Sequence, residues 1–181
     1  MADKPRAIPP EKIEARPCLT EAAMLLLGAL ATGATVWEFG SGGSTLWLAD
    51  LAFHVTSIED NAAWYEAVKE TLLDRGYAGI DLRLTPTKMQ PDAITGEGLY
   101  DVVFVDCLRQ EERRRSVILG ALHVKPGGWL VADDYTFPLT NKAVEGLRAQ
   151  DWDVGIVAGI KTHPIRKVPY ATSTAFCHKP G

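Results

Sequence analysis

The chain has 181 residues, of which 46% are hydrophobic and 23% charged, with a formal net charge of −4. That is enough apolar material for one buried core, and it excludes both chain-wide disorder and the broad basic field of a nucleic-acid binder. Three widely spaced cysteines, Cys18, Cys107 and Cys177, exclude a disulfide framework and a Cys-rich metal site, and they point to a reducing cytoplasm. The opening "MADKPRAIPPEKIEARP" lacks an apolar signal core. The best apolar stretch, near residues 22–31, is too short to span a bilayer, so no membrane partner is expected.

Residues 1–19, rich in proline and charge, read as an irregular arm, and residues 20–181 as a single domain. Thr20 before "EAAMLLLGAL" predicts a capped helix through about Ala31. "ATVWEF" predicts a short buried strand, "STLWLADLA" one or two helical turns, and "FHVTSIE" a second strand. "DNAAWYEAVKETLLDRG" carries helical spacing in Ala63, Val68 and Leu72, with Gly76 as its stop. "IDLRLTP" makes a third strand, and the β-branched run "LYDVVFVD" a fourth. A helix over "QEERRRSVILGALH", a turn at "KPGG", a strand "WLVADD" and a helix "NKAVEGLRAQ" follow. "WDVGIVAGI" and "TSTAFCHK" end the chain as two strands that can pair antiparallel. Strands alternating with helices predict an α/β sheet covered on both faces, with an antiparallel edge.

The stretch "TVWEFGSGGSTLWLA", residues 35–49, is the first candidate site. Gly40, Gly42 and Gly43 allow a tight turn and close approach of a ligand, and Ser44 and Thr45 can cap the following helix. Glu59 closes the next strand, nineteen positions after Gly40, where an acid can accept hydrogen bonds from both ribose hydroxyls. A dinucleotide fingerprint would have a third glycine where Thr45 stands, and Glu38 would repel a pyrophosphate. The lysine of a phosphate loop is missing too. These residues favour a nucleoside cofactor that carries an amino group and no pyrophosphate.

With "YDVVFVD" and "KPGGWLVADD", this pattern resembles the class I S-adenosylmethionine-dependent methyltransferases. The resemblance implies a Rossmann-like methyltransferase sandwich: a seven-stranded mixed sheet of order 3-2-1-4-5-7-6 with strand 7 antiparallel. It implies S-adenosylmethionine as cofactor, with Glu38, Gly40, Ser41, Gly42, Gly43 and Ser44 at its methionine part and Glu59 on the ribose. Asp60 and Asn61 would begin the next wall, and Asp106 would border the cofactor. Ser44 holds the place of the family's third glycine. The family's adenine reader after strand three has no clear match among Thr85, Thr87 and Gln90.

Asp106, Asp133 and Asp134 close the fourth and fifth strands, which brings three carboxylates to one sheet edge. Two readings stay open: a divalent cation such as Mg²⁺ compensates their charge, or they cap helices and stay hydrated. The pattern also resembles the cation-dependent catechol and caffeoyl-CoA type O-methyltransferases, whose metal ligands would fall on Asp106, Asp133 and Asp134. That branch's catalytic lysine falls on Arg109, which cannot serve as a general base at ordinary pH and would instead hold an anionic group. His163, in "KTHPIRKVP", is a further candidate base or an ordinary surface histidine. Arg113, Arg114 and Arg115 read as a solvated helix face, and Tyr135 and Phe137 as acceptor-pocket or core residues.

The expectation is a cytoplasmic methyltransferase acting on a small-molecule oxygen acceptor. Alternatives are a non-catalytic S-adenosylmethionine-binding or interaction protein, and metal-independent methylation of nitrogen, RNA or protein. The arm or the second subunit of a homodimer would supply the acceptor-side wall.

Overall fold

A computed structural model describes residues 13–77, 79–107, 109–162 and 167–181. The elements are α1 (Glu21–Ala31), β1 (Thr35–Phe39), α2 (Gly43–Ala49), β2 (His54–Glu59), α3 (Ala62–Asp74), β3 (Ile80–Leu84), β4 (Tyr100–Val105), α4 (Gln110–Leu122), β5 (Val124–Ala132), α5 (Pro138–Arg148), β6 (Asp153–Thr162) and β7 (Pro169–His178). Two 3₁₀ turns, Thr87–Met89 and Pro91–Ile94, link β3 to β4. The strands form one sheet in the order β3-β2-β1-β4-β5-β7-β6. The first five lie parallel, and β7 runs antiparallel to both β5 and β6. The topology expected from the family resemblance is therefore the one observed.

Alternation along the strands builds two cores. Trp37, Phe39, Val103, Val105, Leu130 and Ala132 face α4 and α5, where Val117, Ala121, Val144 and Leu147 complete a cluster. Val36, Val55, Val102, Phe104 and Val131 point to the other face, under Leu27 and Ala31 of α1 and Leu48 of α2. Both faces are covered, so the central strands read as continuous apolar runs. Local caps agree with the sequence: the Thr20 hydroxyl accepts from Ala23 N–H, and the Asn61 side chain from Ala63 N–H. Residues 13–19 have no helix or strand, yet Ile13 and Leu19 are buried, so this end of the arm packs onto the fold.

Three boundaries differ from the sequence reading. β5 includes "KPGG" as an irregular stretch: its pairing with β4 jumps from Tyr100–Val124 to Val102–Trp129, and Gly127 takes φ 73° within the bulge. β6 and β7 each extend to ten residues, since their mutual pairing continues from Asp153 and His178 to Thr162 and Pro169. α5 starts at Pro138, whose fixed φ suits a first helical turn.

Candidate functional site

The carboxyl ends of β1, β2 and β4 meet at one sheet edge, and the glycine turn joins β1 to α2 there. Gly40 has φ 95°, and a Cβ at this position would stand 2.7 Å from the Asp106 carbonyl oxygen. Only glycine lets the turn cross the tip of β4 so closely. Gly40 N–H donates to Ile58 O and Asp106 N–H to Phe39 O, both at 2.9 Å, which ties the three strand tips together. At Gly43 a Cβ would collide with the carbonyl oxygens of Glu14 and Arg16, so the arm crosses the start of α2. At Gly42 a Cβ would meet only Trp64, 3.9 Å away, among the described residues. The described residues leave that side of the turn open.

Two acids hold the turn. Glu38 is fully buried, and its Oε2 accepts from the Thr45 and Ser57 hydroxyls, each at 2.6 Å. Thr45 Oγ1 also accepts from Gly42 N–H at 2.9 Å, so one hydroxyl couples the acid to the turn. Burial pushes the Glu38 carboxyl up, against the pull of the nearby Ser44, Ser57 and Thr45 hydroxyls. Its Oε1 has no hydrogen-bond partner among the described residues. Glu59 Oε2 accepts from Ser41 N–H at 2.9 Å and Ser41 Oγ at 3.1 Å, and its Oε1 from Asp60 and Asn61 N–H at 3.0 and 2.8 Å. Burial pushes Glu59 up to about 7 even with these donors in place. The Asp60 carboxylate in turn accepts from the Thr87 hydroxyl after β3.

An S-adenosylmethionine-like ligand fits this cradle on three counts. A buried carboxylate oxygen lacks a donor, the open side of Gly42 faces Trp64, and an acid at the tip of β2 touches the turn. Glu38, Gly40, Ser41, Gly42, Gly43, Ser44, Glu59, Asp60 and Asn61 thus lie on one contiguous edge. Gln90 is buried with its amide nitrogen unpartnered among the described residues.

The second group of acids lies at the neighbouring tips. Asp106, Asp133 and Asp134 offer carboxylate oxygens within 4.8 Å of one another. Two buried cations hold them. Lys161, on β6, pairs with Asp133 Oδ2 and lies 3.1 Å from Asp134 Oδ1. Arg113, on α4, donates to Asp134 Oδ2 at 3.1 Å, to Asp106 Oδ1 at 3.2 Å, and to the carbonyls of Asp133 and Cys107 at 2.8 Å. Thr174 and Thr172 donate to Asp133 Oδ1 and Asp134 Oδ1 at 2.9 Å. Burial opposes charge on Asp134, yet Arg113 and Lys161 hold it below its ordinary value. Asp106 goes the other way: burial, then Asp133, pushes it up to about 7 despite Arg113.

The oxygen donors suit Mg²⁺ chemically. Five of the six carboxylate oxygens, one on Asp106 and two each on Asp133 and Asp134, already accept from these residues. A divalent cation does not fit the set as it stands, because an ammonium and a guanidinium occupy it.

Arg113 corrects the reading of "RRR" as a solvated face, since its side chain is only 3% exposed. Arg114 and Arg115 do pair at the surface, with Glu111 and Asp92. The signal was present in helical spacing: Arg113 shares a face with the buried Val117 and Gly120. Lys161 had no local signal, because antiparallel pairing with β7 brings it to the site. Tyr135 donates to Glu145 at 2.8 Å, while the Phe137 ring lies 5.6 Å from the Arg113 guanidinium. Arg109 stands at the N-cap of α4, and His163 lies outside the described residues. Two surface hollows, of about 310 and 400 Å³, lie at the opposite edge near Lys125 and between α4 and α5, and neither is lined by the site residues.

No protein-family model matches the chain, and no curated protein matches it in sequence. Solved structures match it in fold. A candidate O-methyltransferase from Klebsiella pneumoniae superimposes with a TM-score of 0.71 at 16% identity, over 93% of this chain and 84% of that one. A precorrin-6y C5,15-methyltransferase from Geobacter metallireducens gives 0.70 at 17%, over 94% and 95%. A precorrin 8W decarboxylase from Methanobacterium thermoautotrophicum gives 0.67 at 20%, over 92% of each chain. With the strand order, these matches define the fold as that of the class I S-adenosylmethionine-dependent methyltransferases. At such identities the likeness is one of fold, and its members' reactions differ.

Proposed function

We propose that the protein is an S-adenosylmethionine-dependent methyltransferase acting on a small-molecule acceptor through a hydroxyl oxygen. The observation that carries this reading is the contact of Glu59 with Ser41 of the glycine turn, beside the tip of β4 that bears Asp106. Bound S-adenosylmethionine supplies an electrophilic methyl group on a sulfonium sulfur. A sugar hydroxyl would take the place of the Ser41 Oγ–H donor on Glu59 Oε2, and the unpartnered Glu38 Oε1 is suited to an amino donor. Asp106, with a value near 7 and a side chain 24% exposed, takes the proton that the acceptor hydroxyl loses. Transfer of the methyl group to that oxygen would leave the donor as a neutral thioether.

Residues 20–181 serve as the catalytic unit, and the arm supplies part of its wall, as the packing of Glu14 and Arg16 on Gly43 supports. Among the described residues no helix is long and apolar enough to cross a membrane, and three free cysteines suit a reducing, cytoplasmic setting. A magnesium-dependent form would use Asp106, Asp133 and Asp134 as ligands, and the two cations seated there weigh against it.

One observation favours a non-catalytic binding protein instead: on the acceptor side Arg113 and Lys161 already engage Asp106, Asp133 and Asp134. Calorimetric titration with S-adenosylmethionine, its demethylated product, NAD and ATP, followed by turnover on a panel of hydroxylated small molecules, decides between the readings. Binding of the first two ligands with methylated product supports the proposal. Binding without turnover on the oxygen panel or on amine, RNA and protein acceptors favours the non-catalytic reading, and binding of NAD alone refutes both.

A further inference from the structure

The acids at the tips of β4 and β5 resemble a cation site, and the fold supplies the cation from its own chain. Lys161 is the one residue of β6 that is buried, on a strand otherwise exposed or half-buried. Its ammonium meets Asp133 and Asp134 together, while Arg113 closes the group from the α4 side. The Tyr170 ring, paired across the hairpin, lies with its centroid 5.4 Å from the ammonium. Thr172 and Thr174 add a hydroxyl donor each to Asp134 Oδ1 and Asp133 Oδ1.

We propose that this cluster is a lysine-seated site: the Lys161 ammonium holds the position between Asp133 and Asp134 that a divalent cation would take, and Asp106 is the one carboxylate left for a ligand. Mg²⁺ requires close, near-octahedral oxygen contacts and gives up water reluctantly. Here it would face an ammonium and a guanidinium bound to the same oxygens, with repulsion undiminished by solvent because both cations are buried. Three carboxylates and two cations leave one negative charge when all are ionised, and Asp106 is the most exposed of the three acids. Such a seat takes an acceptor that donates an O–H or N–H to Asp106, in preference to one that arrives as an anion. The ammonium also holds Asp133 and Asp134 rigid, which fixes the end of β5 beside the acceptor position. The role of Asp106 toward an acceptor rests on the methyltransferase reading; the identity of the resident cation does not.

The test is Mn²⁺ binding followed by electron paramagnetic resonance, with Mg²⁺-induced shifts in Tm, on the chelator-treated full chain and on Lys161→Gln. The wild type is expected to bind no Mn²⁺ beyond the level of Asp133→Asn, with Tm unmoved by Mg²⁺. Lys161→Gln should gain about tenfold or more in Mn²⁺ affinity. Stoichiometric Mn²⁺ binding by the wild type, abolished in Asp133→Asn, would overturn the proposal without need of the lysine variant. A folded Lys161→Gln that gains no affinity would also overturn it, since the position would then be no cation seat. Titration of the same wild-type sample with S-adenosylmethionine separates the two readings: no cofactor binding and no Mn²⁺ binding would remove the methyl donor and leave the lysine seat.

Discussion

The two halves of the sheet edge solve the same problem in different ways. On the β1–β2 side, Glu38 and Glu59 are buried among neutral donors, hydroxyls and backbone N–H groups, and both titrate above their ordinary range. On the β4–β5 side, Asp133 and Asp134 meet full positive charges from Lys161 and Arg113, which hold Asp134 below its ordinary range while burial still pushes Asp133 up. Neutral donors stabilise a carboxylate while leaving it responsive to a ligand; a buried ion pair commits it to the structure. The first side is therefore the one proposed to bind a ligand and the second is held as a scaffold, with Asp106 at the boundary between them.

Breaking the scaffold should have the largest effect. Lys161→Met leaves Asp133 buried without its cation and should cost about 3–5 kcal/mol in denaturant unfolding. A loss below about 1 kcal/mol would mean that the ion pair contributes little and that the two sides do not differ as described. Gly40→Ala comes next. It combines a positive φ with a collision against the Asp106 carbonyl, so roughly 2 kcal/mol of stability should go, and cofactor affinity should fall with it.

On the binding side, Glu59→Gln should retain most stability and weaken S-adenosylmethionine about 10- to 100-fold by calorimetry, the scale of a lost charged hydrogen bond. The same variant tests the pH behaviour. The ordinary value of 4.5 rises to about 7 in the fold, so the folded state binds this proton more tightly than the unfolded chain does. The resulting stability is fully present below about 4.5 and is lost as pH rises through about 7. Glu59→Gln should flatten that decline in a series of denaturation curves, and an unchanged slope would remove Glu59 as its source. The smallest effect belongs to Tyr135→Phe, which loses one hydrogen bond to Glu145, about 1 kcal/mol or less, with cofactor affinity unchanged.

The same contrast explains what was legible in the sequence. Glu38, Gly40 and Glu59 could be read because their neighbours are set by local chain order: a strand, a turn, and the tip of the adjacent parallel strand. The strand order followed from the family resemblance, and the burial of the central strands from their continuous apolar runs. The acidic tips were legible as positions, but their partners were not. Arg113 was hidden inside "RRR" because charge runs are read as units, although its register with Val117 marks the inner face of α4. Lys161 reaches Asp133 from 28 positions away through the register of the terminal hairpin, which no local pattern specifies. The packed arm was hidden for a similar reason, since Gly43 reveals its contact with Glu14 and Arg16 only in three dimensions.

The most direct test of the binding side is a crystal structure of the complex with the demethylated product of S-adenosylmethionine. The expected result is density along the tips of β1 and β2, with the sugar hydroxyls on Glu59 and the amino-acid tail against the open side of Gly42. Density elsewhere on the molecule, or a Glu59 carboxylate still closed on Ser41 with no ligand beside it, would contradict the assignment.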